Sequence, residues 1–216
     1  TLLLASLFAP PPAQGQTPAD SEAEPIPDLP TNVRIDTPPL AASNTPVDIT
    51  EWTVPWPDTR PRDPDVAPNG TIWFVGQAGD YVGFFDPETA EFSRQELPPG
   101  TGPHNVIVDR DAMLWVAGNR QGYIGKMDPN SGRLFRYPMP LEEVRDPHTL
   151  VFTGKGEIWF SAQWANYVGR LDQRTGAVEL IEVPVDQSRP YSVKLDSRGR
   201  PWFALLGTNA LATVDP

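Results

Sequence analysis

Four tryptophans constrain the fold more than any other feature of this chain. Trp73, Trp115, Trp159 and Trp202 stand 42, 44 and 43 residues apart. Each lies in an apolar setting: Ile72-Trp73-Phe74, Leu114-Trp115-Val116, Ile158-Trp159-Phe160 and Pro201-Trp202-Phe203. Thirteen residues after each comes an aspartate: Asp86, Asp128, Asp172 and Asp215. A Tyr-Val-Gly or Tyr-Ile-Gly precedes that aspartate at 81–83, 123–125 and 167–169. Twelve residues before each tryptophan stands a proline: Pro61, Pro103, Pro147 and Pro190. Markers in register at a period near 43 identify a repeat architecture, with copies over 61–102, 103–146, 147–189 and 190–216.

Within a copy the pattern is that of short strands. In the second they are expected at 104–109, 113–118, 122–127 and 133–138, separated by Asp109-Arg110-Asp111-Ala112 and Asp128-Pro129-Asn130-Ser131-Gly132. Both connections are rich in turn formers. No window holds a capped 3.6-residue period, so helices are not expected. Four antiparallel strands per 40–50 residues describe a propeller blade. The fold class is therefore all-β, a β-propeller with about 3.6 blades in this sequence. The recurrent tryptophan is a core residue packing between blades. Ile49 to Pro55 resembles the fourth strands at 134–138 and 178–184. It is expected to form a lone strand, 49–55, that closes the ring and hides an edge.

The ends differ from the repeats. Thr1–Ala9 is an uncharged apolar run, too short to span a bilayer and suited to the core of an export signal. Residues 1–15 are read as a leader remnant, and 16–48, rich in Pro, Ala, Asp and Glu, as a disordered linker. A periplasmic or secreted location follows. The chain stops at Val214-Asp215-Pro216, within a repeat, so the protein is expected to continue and to be a monomer when complete. Seventeen basic against 28 acidic residues argue against a nucleic-acid partner. With no cysteine, disulfides and thiol chemistry are excluded.

In a propeller the first strand of each blade lies nearest the axis. The start of strand one and the end of strand two emerge on one face. The starts carry Arg62, His104, His148 and Tyr191; the ends carry Gln77, Asn119, Gln163 and Leu206. These positions should ring the mouth of the central channel, where ligands bind. The two histidines of the chain share one repeat phase in neighbouring blades. Trp164 and Tyr167 flank a loop on the same face, and Asn69-Gly70-Thr71 fits a glycosylation sequon at a turn.

The composite of Pro-His-x-hydrophobic, Gly-x-Ile-Trp-Phe and Tyr-Ile-Gly-x-hydrophobic-Asp-Pro over 49–216 resembles the streptogramin lyases, the virginiamycin B lyase family of seven-bladed propellers. The resemblance implies opening of a cyclic depsipeptide by elimination at its ester, with a base for the α-proton and magnesium for the developing enolate. In that family the base is the histidine of a Glu-Pro-His motif, and magnesium is held by that glutamate and a second one at the end of the blade's second strand. Asp146-Pro147-His148 matches the motif with Asp for Glu. It makes His148 the catalytic base and Asp146 the metal ligand. His104 matches a substrate-contacting histidine, and Arg62, Tyr191, Asn119 and Gln163 complete the expected substrate contacts. Gln163 stands at the second carboxylate position, where an amide is a poor magnesium ligand. A non-catalytic propeller binding a peptide, glycan or protein at the same mouth is the alternative. A calcium-dependent lactone hydrolase, which needs several acidic axial ligands, fits least.

Overall fold

The computed structural model describes residues 48–215, in which every regular element is a strand. The leader and all of the linker except Asp48 lie outside the described residues. The first sheet holds β1 (Pro61–Val66), β2 (Ile72–Gly76), β3 (Tyr81–Asp86) and β4 (Glu91–Glu96). The second holds β5 (Val106–Val108), β6 (Leu114–Gly118), β7 (Tyr123–Met127) and β8 (Leu134–Pro138). The third holds β9 (Pro147–Phe152), β10 (Glu157–Ala162), β11 (Tyr167–Asp172) and β12 (Val178–Glu182). The fourth holds β13 (Pro190–Leu195), β14 (Pro201–Leu205) and β15 (Ala210–Thr213). All pairings are antiparallel between consecutive strands, and β1, β5, β9 and β13 adjoin one another in that order. These are propeller blades with their first strands innermost.

The repeat markers have separate physical duties. The tryptophan faces the following blade. Trp115 packs with Leu150, Ile158 and Phe160 of the third blade, and Trp159 with Val193, Phe203 and Leu205 of the fourth. Trp115 is wholly enclosed, whereas Trp202 is 37% exposed, no fifth blade being among the described residues. Asp86, Asp128 and Asp172 each accept backbone N–H bonds of 2.8–2.9 Å from the residue two positions on, fixing the turn between third and fourth strands. Asp109 and Asp196 hold the preceding turn and also accept from the indole N–H of Trp115 and Trp202, at 2.9 and 3.2 Å.

The glycine of Tyr-Val-Gly is set by close approach. Gly169 pairs with Phe160 across β10 and β11, and a Cβ there would stand 2.3 Å from the phenyl ring. Gly83 faces Phe74 in the same way at 2.3 Å. Gly169→Ala is expected to cost about 1–3 kcal/mol through overpacking. Chemical denaturation of the full-length protein checks this, and an unchanged midpoint would contradict it.

Residues 48–54 carry no regular structure, and the described sheets hold no partner for the strand expected at 49–55. Trp52 packs on Phe85 with ring centroids 5.1 Å apart, and Trp56 meets Tyr81 edge-on at 5.0 Å. A strand needs a partner ladder, and among the described residues none lies beside this segment. Its apolar side chains pack instead on the aromatic face of the first blade, with Phe74, Phe85 and Phe92.

Candidate functional site

The innermost strands are irregular just where the site residues stand. Register shifts fall between Arg62 and Asp65 in β1 and between Pro190 and Val193 in β13. A third falls between Phe160 and Ala162, where β10 pairs with Pro147 of β9. Such bulges re-aim side chains at the end of a ladder. The residue after each repeat proline lines a cavity of about 310 Å³. Around it stand Arg62, His104, His148 and Tyr191 from the strand starts, with Gln77, Asn119 and Gln163 from the ends of the second strands. Arg60 and Trp164 complete the wall. Leu206 is not in it and is 58% exposed. Tyr167 packs instead against the core between the second and third blades.

The two histidines touch. Their ring centroids are 3.4 Å apart at 35°, and Tyr191 lies 4.4 Å beyond His148. His104 Nε2 is hydrogen-bonded to an Arg62 guanidinium nitrogen. A guanidinium only donates, so Nε2 accepts and the ring proton sits on Nδ1. That nitrogen has no aligned hydrogen bond and faces the Asp63 carboxylate at 3.4 Å. Burial opposes the Asp63 charge, but His104, Arg62 and His148 together hold its carboxyl below the ordinary range.

His148 is different. Its Nδ1 is 3.0 Å from the Thr149 hydroxyl, while Nε2 has no partner among the described residues. Burial, reinforced by His104 and Arg62 against the pull of Asp63, pushes its pKa down to about 3. The imidazole is therefore neutral near pH 7. With Nδ1–H donating to Thr149, the Nε2 lone pair is free to act as a base.

This shift makes stability depend on pH. Between pH 6.5 and about 3 the unfolded chain binds a proton at residue 148 that the folded chain excludes. Stability from this group is complete above pH 6.5 and falls by about 1.4 kcal/mol per unit on acidification through that window. Denaturant midpoints from pH 7 to 4 should fall more steeply for the native sequence than for His148→Gln; parallel curves would refute the assignment.

Asp146, the expected metal ligand, is not in the wall of this cavity. It is 9% exposed and points into its own blade. Its carboxylate accepts from the backbone N–H of Trp164, and from that of Ala165 at 3.3 Å. In the other blades the amide matching Trp164 bonds a backbone carbonyl instead: Ala78 to Thr59, Arg120 to Thr101 and Gly207 to Ser188. Asp146 thus replaces a main-chain acceptor. Burial pushes its pKa up, opposed by the backbone donors. Asp146→Ala is expected to cost about 1–3 kcal/mol by stranding these donors, and to leave magnesium affinity unchanged. Thermal denaturation paired with magnesium titration calorimetry checks both parts.

Asn119 is also partly committed, donating from Nδ2 to the Pro147 carbonyl at 3.1 Å across the blade boundary. The sequence reading missed Arg60 and Asp63. The repeat phase was a usable signal for Asp63, which shares the phase of Asn105, the residue whose side chain accepts from Leu150 N–H at 3.0 Å.

The family profile of the virginiamycin B lyase family matches residues 40–216. The chain belongs to that family. Virginiamycin B lyase from Staphylococcus aureus superposes with a TM-score of 0.71 at 25% identity, over 77% of this chain and 56% of that one. A streptogramin B lyase superposes with a TM-score of 0.68 at 26% identity, over 77% and 58%. The chain therefore spans a little over half the length of these structures. No curated protein matches the sequence.

Members of this family use magnesium, but the residues of this cavity do not fit one. Magnesium selects oxygen ligands with at least one or two carboxylates. The wall offers amides, imidazoles, a phenol and an indole, and two guanidinium groups that repel a dication. No cluster of three or more metal-ligating side chains occurs among the described residues.

Proposed function

We propose that the protein is an exported virginiamycin B lyase-like propeller that opens ester-linked cyclic peptides by elimination, with His148 as the base. The observation that carries this reading is the state of that imidazole. It is buried, neutral, stacked on His104 and anchored through Thr149, with Nε2 unspent. Nε2 takes the proton α to the carbonyl. The C–H electrons form a carbon–carbon double bond, and the Cβ–O bond breaks with its electrons leaving on the carboxylate. His104, fixed by Arg62, cannot act as base because its Nε2 already accepts; it presents a ring face to the ligand. Gln163 and Tyr191 border the same space. No step here runs through a metal ion.

The test is the full-length protein with a cyclic depsipeptide, followed by mass spectrometry. Elimination gives a ring-opened product of unchanged mass with a new double bond, whereas hydrolysis adds water. A second reading, a non-catalytic propeller binding a peptide, glycan or protein partner, is favoured by a cavity wall that holds no carboxylate among the described residues. Binding of the depsipeptide without ring opening would select it. Export is supported by the apolar run Thr1–Ala9 and is checked by finding the mature protein in a periplasmic or secreted fraction.

A further inference from the structure

The cavity is rich in unspent cationic donors. Arg62 uses one nitrogen on His104; its remaining N–H groups, and all those of Arg60, have no partner among the described residues. The carboxylate nearest Arg62, Asp63, faces the Nδ1 edge of His104 and is not part of the cavity wall. Gln77, 7% exposed, lines the same space, and its Oε1 is enclosed without a hydrogen bond. A buried acceptor left unpaired is costly, and a rotation of this amide would turn the oxygen to a ligand N–H in the cavity that Gln77 lines. Two guanidinium groups beside an amide acceptor match a carboxylate attached to an amide N–H. Trp164 stands at the rim, 68% exposed, with the Arg189 guanidinium 4.6 Å from its ring centroid. It offers an aromatic surface next to these groups.

We propose that Arg60 and Arg62 form a carboxylate site that receives the leaving group of the elimination. The role rests on the elimination reading above; the carboxylate site itself does not. When the Cβ–O bond breaks, the electron pair moves onto the ester oxygen and the leaving group becomes a carboxylate. The guanidinium donors meet that charge at this arc of the propeller, where the wall cannot hold a cation. Gln77 takes the amide N–H of the same acyl segment.

Titration calorimetry of the full-length protein with N-acetyl-phenylalanine and with its N-methylamide, both in the presence of chelator, tests the site without turnover. The acid is expected to bind about tenfold more tightly than the amide. That preference should shrink as salt rises from about 0.05 to 0.5 M. Arg62→Gln also frees His104, so Arg60→Gln, which breaks no side-chain hydrogen bond or ion pair among the described residues, carries the decisive test. It should weaken the acid about tenfold and leave the amide unchanged. Equal binding of acid and amide, or acid binding that appears only on adding magnesium, would overturn the site. Acid binding without ring opening of a depsipeptide keeps the site and removes the elimination reading. Ring opening with equal binding of acid and amide does the reverse.

Discussion

Trp115→Ala is expected to be the most damaging single core substitution, lowering the stability of the full-length protein by about 3–5 kcal/mol. The indole is fully enclosed, packs against Leu150, Ile158 and Phe160, and stacks on Tyr137 at 5.8 Å. Its removal leaves a void between two blades and strands the Asp109 oxygen that accepts the indole N–H. The Lys126 ammonium, 4.9 Å from the ring centroid, also loses its partner. Urea denaturation gives the magnitude. A loss below about 1 kcal/mol would show that the indole does not act by packing on the following blade.

Under the proposed elimination, His148→Ala is expected to lower kcat by about 10²–10⁴-fold. His104→Ala should act chiefly on KM, because its Nε2 accepts from Arg62 and cannot also take the substrate proton. The pH profile separates a base from a structural residue. With its pKa held down to about 3 by burial first and the neighbouring charges second, the free protein keeps a neutral imidazole throughout pH 5–8. The kcat/KM profile should then lack an acidic limb near pH 6.5, the ordinary histidine range. Such a limb would assign the proton transfer elsewhere. A developing anionic oxygen beside the ring would raise its proton affinity as the transfer proceeds, which compensates for the low resting basicity.

The blades were legible because their signals are local and repeated. Trp, Tyr-x-Gly, Asp and Pro answer to contacts that recur between blades: the next blade, a close approach across the strand pair, a turn and, in three of the four blades, a bulge. The ring of site positions was legible for the same reason, since antiparallel strands place the start of one beside the end of the next. The main-chain role of Asp146 was not legible: its residue type matches a ligand motif, while the bond to the Trp164 amide is found only by comparing main-chain bonds between blades. For residues 49–55 the alternation suits a strand or an aromatic pad equally well, and which one forms depends on which neighbours are present. Arg60 gave no signal. It occupies a left-handed backbone position (φ 54°) that Gly102 and Arg189 also take, and nothing in its residue type marks it as facing the channel.

The forward lean of the tryptophans gives the array a direction. Trp115 and Trp159 cover themselves with residues that come later in the chain, never with their own blade alone. The inner strands are stitched in the same order, Asp65 accepting from Val108 and Asn105 from Leu150. A nascent chain leaving the ribosome therefore finishes each blade only when its successor emerges. Growth would proceed like a zip, with a single wet aromatic face moving toward the C-terminus. A chaperone suited to this protein would need to shield one indole-bearing face at a time and release it at intervals of one blade's synthesis.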